Sequence, residues 1–160
     1  MPGMGRLRYT MSNNVEWLKR NYEEVLQLPD EAVDLLIMLY NAAQTFDDYA
    51  DGDPVTREEL DALIWNTLVA IPENQFYRMY SHKLLPVIAT TVLKWQGSDR
   101  AERGGQVDAK TFGWRAGYFD IVLLVFNLVH GAGNAIMNAQ HVMNLYGEVY
   151  EDYLKEFDHA

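Results

Sequence analysis

Between Asp120 and Glu148 the chain runs for 27 residues without an Asp, Glu, Lys or Arg. A helix with one face in water normally carries charge on that face. Such a run therefore has to be covered, by the rest of the chain, by another copy of it, or by lipid. Its most apolar part, Ile121 to Met137, is close to the shortest length that spans a bilayer and is interrupted by Asn127, His130, Gly131 and Gly133, so a membrane span is not expected. Asn127, Asn134 and His141 continue from Asp120 at intervals of seven, with His130 and Asn138 within a turn of that stripe. Amides on an otherwise apolar helix fit a central, buried helix or an oligomer interface whose polar groups bond to neighbours. A wet face that happens to use amides is the plainer alternative.

The rest of the chain is helical in rhythm. Val15, Leu18, Tyr22, Val25 and Leu26 follow 3,4 spacing, with Asn13 or Asn14 placed to cap. Leu28-Pro29-Asp30 ends that segment, and Asp30 is the expected N-cap of a second helix over roughly 31 to 50, which buries Val33, Leu36, Ile37 and Tyr40. Thr56-Arg57-Glu58-Glu59 has the pattern of a capping box for a third helix, broken near Ile71-Pro72. A fourth, roughly 73 to 96, should kink at Pro86. Residues 97 to 109 read as a long loop, and a final helical region runs from near Lys110 towards Phe157, divided at Gly131 and Gly133. No alternating strand pattern or internal repeat is present. The expected fold is all-α: a single-domain bundle of five or six helices over 13–160, its charge-free last region central, preceded by a flexible leader at 1–12.

With 160 residues and a net charge of -10, the chain is long enough for a real core and a poor partner for a phosphate backbone, so nucleic acid is not an expected target. The absence of cysteine excludes disulfides, thiolate catalysis and Cys-based zinc sites. The first residues carry no apolar run of the kind a secretory signal needs, and a cytoplasmic location is the default expectation.

Four carboxylates crowd into Asp47-Asp48-Tyr49-Ala50-Asp51-Gly52-Asp53 with no Lys or Arg among them. Asp34, Asn41, Gln44, Asp48 and Asp51 form one polar stripe on the second helix. Negative charge at a helix C-terminus opposes the macrodipole by about 0.3–1 kcal/mol, so these residues are badly placed for stability. Asp47, Asp48 and Asp51 can converge at three- and four-residue spacing, which nominates them as ligands for a hard cation, Mg²⁺ in preference to Ca²⁺.

Two known motifs share this local pattern. Asp47-Asp48-x-x-Asp51 resembles the aspartate-rich motif of class I isoprenoid synthases, where the resemblance implies magnesium ions bridging to a substrate diphosphate. It covers five residues, and the second, Asn/Asp-Ser/Thr-Glu motif of that family is not found. Asp47, Asp51, Gly52 and Glu58 also resemble positions 1, 5, 6 and 12 of an EF-hand loop. There Tyr49 and Pro54 depart from the pattern. Neither resemblance assigns a family.

None of His82, His130 and His141 has a Glu three residues before it, and no His-Glu-x-x-His, Walker loop or nucleophile elbow occurs. No catalytic residue is nominated, and whether the chain is an enzyme stays open. Arg115, between Trp114 and Tyr118, is the cation chosen to meet a phosphate; snorkelling at the core rim is the alternative. Two functional readings follow. In one, Asp47, Asp48 and Asp51 hold Mg²⁺ while Arg115, Asn127 and His130 bind a phosphate-bearing small molecule. In the other, the chain is a non-catalytic interaction or assembly protein that forms a homo-oligomer through 121–147.

Overall fold

The computed structural model describes residues 14–158, so the expected leader lies outside the described residues, as does Asn13. The chain is all-α, with no strand among the described residues. Eight helices are described, where five or six were expected. They are α1 (14–20, continued by a π-helical turn, Asn21–Val25), α2 (Asp30–Ala50), α3 (Arg57–Trp65, continued through a π turn at Asn66–Ala70 to Ile71–Glu73) and α4 (Gln75–Arg103). After them come α5 (Ala109–Trp114), α6 (Tyr118–His130), α7 (Ala132–Asn144) and α8 (Tyr150–Phe157). Packing divides them into two compact units, Met1–Ser81 and His82–Ala160.

In the first unit, Leu18, Tyr22, Leu26, Ala32, Val33, Leu35 and Leu36 are buried, the 3,4 pattern of α1 and α2 realised as one core. Asn14 serves tertiary structure: its side-chain amide donates to the Tyr40 hydroxyl at 2.9 Å. The N-cap of α2 is Pro29, not Asp30, which falls inside the first turn with its charge at the positive helix end. Thr56 caps α3 as expected, its hydroxyl accepting from the Glu59 N–H at 3.1 Å. The Ile71-Pro72 break is softer than its sequence suggests. Pro72 cannot donate to a carbonyl four residues back, and the helix has already widened to an i→i−5 bond, Ile71 N–H to Asn66 O, before reaching it. The turn comes at Asn74, whose amide donates to Glu31 O at 2.9 Å, while the Glu31 carboxylate accepts from Gln75 N–H at 3.1 Å and starts α4.

Within α4 the helical geometry fails at Tyr80 (φ -118°, ψ 17°), not at Pro86. The helix also continues past 97 to Arg103, so the expected long loop shrinks to a turn through Gly104 and Gly105. Asp108 then opens α5 with a true capping box, accepting from Lys110 and Thr111 N–H while the Thr111 hydroxyl accepts from Asp108 N–H.

In the second unit, Leu84, Ile121, Val122, Val125, Phe126, Ala135, Val142, Leu145 and Tyr153 are buried. Phe112 gathers Tyr146, Tyr150 and Tyr153 with ring centroids 5.2–5.4 Å away. The charge-free region divides at Gly131, whose φ of 87° no L side chain adopts cheaply. Its halves differ. α6 buries four residues on one face, but α7 buries only Ala135 and Val142. The expectation of a central last region therefore fits α6 alone.

Candidate functional site

The densest polar arrangement lies in the second unit around Arg115, the C-cap of α5. Its side chain is 12% exposed and faces three carboxylates: Glu102 of α4 at 3.6 Å, Glu148 of the α7–α8 turn at 3.6 Å, and Glu156 of α8 at 3.9 Å. The guanidinium also lies over the Tyr153 ring, 4.7 Å from its centroid, a desolvated cation–π contact. Tyr153 is fully buried. Its hydroxyl donates to Glu102 Oε2 at 2.6 Å and sits 2.5 Å from the Thr111 hydroxyl. Tyr146 donates in the same way to Glu148. One cation thus lies within 3.9 Å of three acids, and two phenols donate to two of them.

Both phenols are held in the protonated form. Burial, reinforced by the hydrogen bond to Glu102, pushes the Tyr153 hydroxyl up to about 12. Burial first, then the neighbouring Glu148 charge, pushes the Tyr146 hydroxyl upward as well. A general base or acid works best with a pKa near the operating pH, and these hydroxyls are displaced away from it. The arrangement is chemically a latch: it ties α8 and the α7–α8 turn to α4 and α5. A phosphate approaching Arg115 would meet three carboxylates there.

Asn127 and His130, the other expected ligand residues, are both half-buried on α6 in this second unit. The His130 ring packs 4.8 Å from the Phe126 ring, and the Asn127 carbonyl accepts from Gly131 N–H at 2.8 Å as the helix ends.

Asp47, Asp48 and Asp51 belong to the first unit. The end of α2 is a Schellman turn: Asp53 N–H donates to Asp48 O at 2.8 Å, Gly52 N–H to Tyr49 O at 3.2 Å, and Gly52 takes φ 78°. Asp51 is exposed, Asp47 half-buried and Asp48 buried. No group of three or more His, Asp or Glu side chains is placed to hold a metal ion among the described residues. A shallow groove of about 410 Å³ in the same unit is lined by Lys19, Glu31, Asp34 and Asn74 among others, and none of the expected site residues borders it.

The expected interface region, 121–147, contains α7, and the side chains it leaves open there could not be singled out from the sequence. Ile136 is 77% exposed, Met137 81% and Met143 64%, on a 13-residue helix without a charged side chain. The signal was present in the charge-free run, but periodicity alone does not tell a covered face from an open one. No described helix is long and apolar enough to cross a membrane. No protein-family model matches the chain, and neither the curated proteins nor the solved structures contain one similar to it.

Proposed function

We propose that this chain is a non-catalytic helical interaction protein that assembles with copies of itself through the α6–α7 region, 121–147. The carrying observation is the exposure of Ile136, Met137 and Met143 on a helix that offers water no charge. Exposed apolar side chains on an uncharged helix are candidates for an interaction surface. Other helices also expose apolar residues, Leu60, Ile64 and Leu68 on α3 and Leu85, Val92 and Leu93 on α4 among them, but each of those helices carries Asp, Glu, Lys or Arg somewhere along its length and α7 carries none. A second copy is the partner that the charge distribution favours. Two molecules of net charge -10 repel wherever acidic surfaces meet, and α7, which bears no Asp or Glu along its whole length, lets them touch without adding that repulsion.

Sedimentation velocity across about 1–100 µM, the range in which modest interfaces dissociate, tests this reading. Self-association that rises with concentration is expected. Ile136→Asp with Met143→Lys should weaken it at least tenfold and leave helical content unchanged, because both side chains point into water. A monomer at every concentration refutes the reading.

A second reading keeps Mg²⁺ at Asp47, Asp48 and Asp51, with Arg115, Asn127 and His130 for a phosphate-bearing ligand. One observation favours its cation half: Asp53 Oδ1, beside this cluster, is buried without a hydrogen-bond donor, and Asp48 is only 9% exposed. A cation would compensate such charge. Millimolar Mg²⁺, Mn²⁺ or Ca²⁺ should then raise the melting temperature, and Asp48→Asn with Asp51→Asn should abolish the rise. No shift with any of the three ions ends this reading.

A further inference from the structure

The exposed edge of α7 has a pattern that specifies how two copies meet. Ala132, Ile136, Ala139 and Met143 follow 4,3,4 spacing, the rhythm of a coiled-coil seam. The seam alternates small and large: Ala132, Ile136 and Met143 are exposed and Ala139 half-buried. No charged residue lies anywhere on the helix.

Two arrangements about a two-fold axis are available to such a stripe. In a parallel pair each residue meets its own copy. Ile136 then opposes Ile136 and Met143 opposes Met143, while the alanine layers face each other across empty space. Overfilled layers would alternate with underfilled ones, and both defects are destabilising. In an antiparallel pair the outcome depends on register, and this sequence supplies one that fits throughout. Ala132 and Met143 lie equally far on either side of the point midway between Met137 and Asn138, and so do Ile136 and Ala139. An axis through that point places Ile136 over the partner copy's alanine and Met143 over the other one. Every layer then pairs one large with one small side chain, as close packing requires. The contact is isologous, as a closed dimer demands, and the helix dipoles oppose.

We infer that a second copy of this chain docks on α7 antiparallel, centred between Met137 and Asn138, with Ile136 packed against Ala139 and Met143 against Ala132 across the axis. This rests on the self-association proposed above and goes beyond it by fixing direction and register. A pair of 13-residue helices covers less than the roughly 800 Å² per partner of a standard interface, so the assembly should dissociate at micromolar rather than nanomolar concentration.

The chain has no cysteine, so single-cysteine variants report cleanly. Ile136→Cys and Ala139→Cys proteins are mixed in equal amounts and treated with a short bis-maleimide. Cross-linked heterodimer is expected to exceed each homodimer severalfold, beyond the statistical ratio, and Ala132→Cys mixed with Met143→Cys should behave alike. Dominant 136–136 homodimer would establish the parallel arrangement and overturn the inference. An unbiased statistical mixture would overturn the register. Sedimentation of the untreated cysteine variants separates these outcomes from the other failure: a monomer there refutes the underlying self-association itself.

Discussion

Tyr153 and Glu102, 51 positions apart, share a hydrogen bond of 2.6 Å at the centre of the second unit. The phenol comes from the final described helix and the carboxylate from the end of α4, so the bond ties α8 directly to α4. Tyr153→Phe keeps the ring over Arg115 and its packing against Phe112, and removes the hydroxyl that bonds Glu102 and Thr111. Glu102, 11% exposed, would then lose its phenol donor while Arg115 stays 3.6 Å away. Losing a donor to a buried charged acceptor costs about 1–3 kcal/mol, and urea unfolding should show that loss as a lower midpoint with an unchanged slope. An unchanged midpoint would mean that the hydroxyl is dispensable.

The same hydroxyl predicts the behaviour of the protein in alkali. Its folded pKa is raised to about 12, whereas an unperturbed tyrosine titrates near 10. The folded state holds the proton more tightly than the unfolded chain does. The resulting stabilisation is complete below pH ~10 and is lost as pH climbs from there towards 12. Tyr146 is shifted in the same direction and adds to the effect. Tyrosinate absorbance near 295 nm should therefore rise together with loss of ellipticity above pH ~10. Tyr153→Phe should flatten that pH dependence. Ionisation of all ten tyrosines in a chain that stays helical would contradict the assignment.

Arg115 is a sharper test of the latch. Its removal leaves Glu102 buried beside Glu148 and Glu156, whose side chains are 32% and 50% exposed. Breaking a buried pair from one side costs about 3–5 kcal/mol, and partial solvation of two of the acids places Arg115→Met near the lower end. Glu102→Gln in the same chain should recover part of the loss, because the uncompensated charge goes with it. A double-mutant cycle on thermal or urea unfolding measures that coupling. Simple additivity would show that Glu102 and Arg115 do not depend on each other.

How legible was this in the sequence? The all-α class followed from 3,4 spacing, and the buried Leu18, Tyr22, Leu26, Val33 and Leu36 lie where that spacing placed them. Of the three breaks that divide the C-terminal region, the one at Gly131 was legible from its glycine, whereas those at 115–117 and 145–149 were not, because they contain no proline. The kink at Tyr80 likewise lacks the local signal that Pro86 carries. Arg115 stood out through its aromatic neighbours in sequence, Trp114 and Tyr118, yet the ring it covers is Tyr153. Its three acids come from separate segments that only tertiary packing assembles. The acidic cluster drew attention for its charge, while Gly52 within it is explained by the Schellman turn. Buried α6 and open α7 share the charge-free run, but α6 draws on Val, Leu, Ile and Phe where α7 draws on Ala, Asn and Met, a difference that the absence of charge alone conceals.

Two glycines separate backbone strain from crowding. Gly52 ends α2 at φ +78°, and a Cβ built there meets nothing within 4 Å. Gly52→Ala should therefore cost about 1 kcal/mol through backbone conformation alone, and Gly52→Asn should recover part of it because Asn tolerates the left-handed region. Gly117, the N-cap of α6, has an ordinary φ of -57°, so alanine suits its backbone. There an added Cβ would lie 3.2 Å from Thr91 Cβ and 3.4 Å from Thr91 Cα. Thr91 is buried on α4 with its hydroxyl bonded to Ile88 O at 2.8 Å, and part of the contact is backbone, so it has little room to give. Gly117→Ala should cost about 1–3 kcal/mol by overpacking. Thr91→Ala, which removes the hydroxyl and methyl but not Cα or Cβ, should rescue it only in part. Full rescue in thermal melts would show that the side-chain tip, and not the approach of the helix backbone, sets the requirement for glycine at 117.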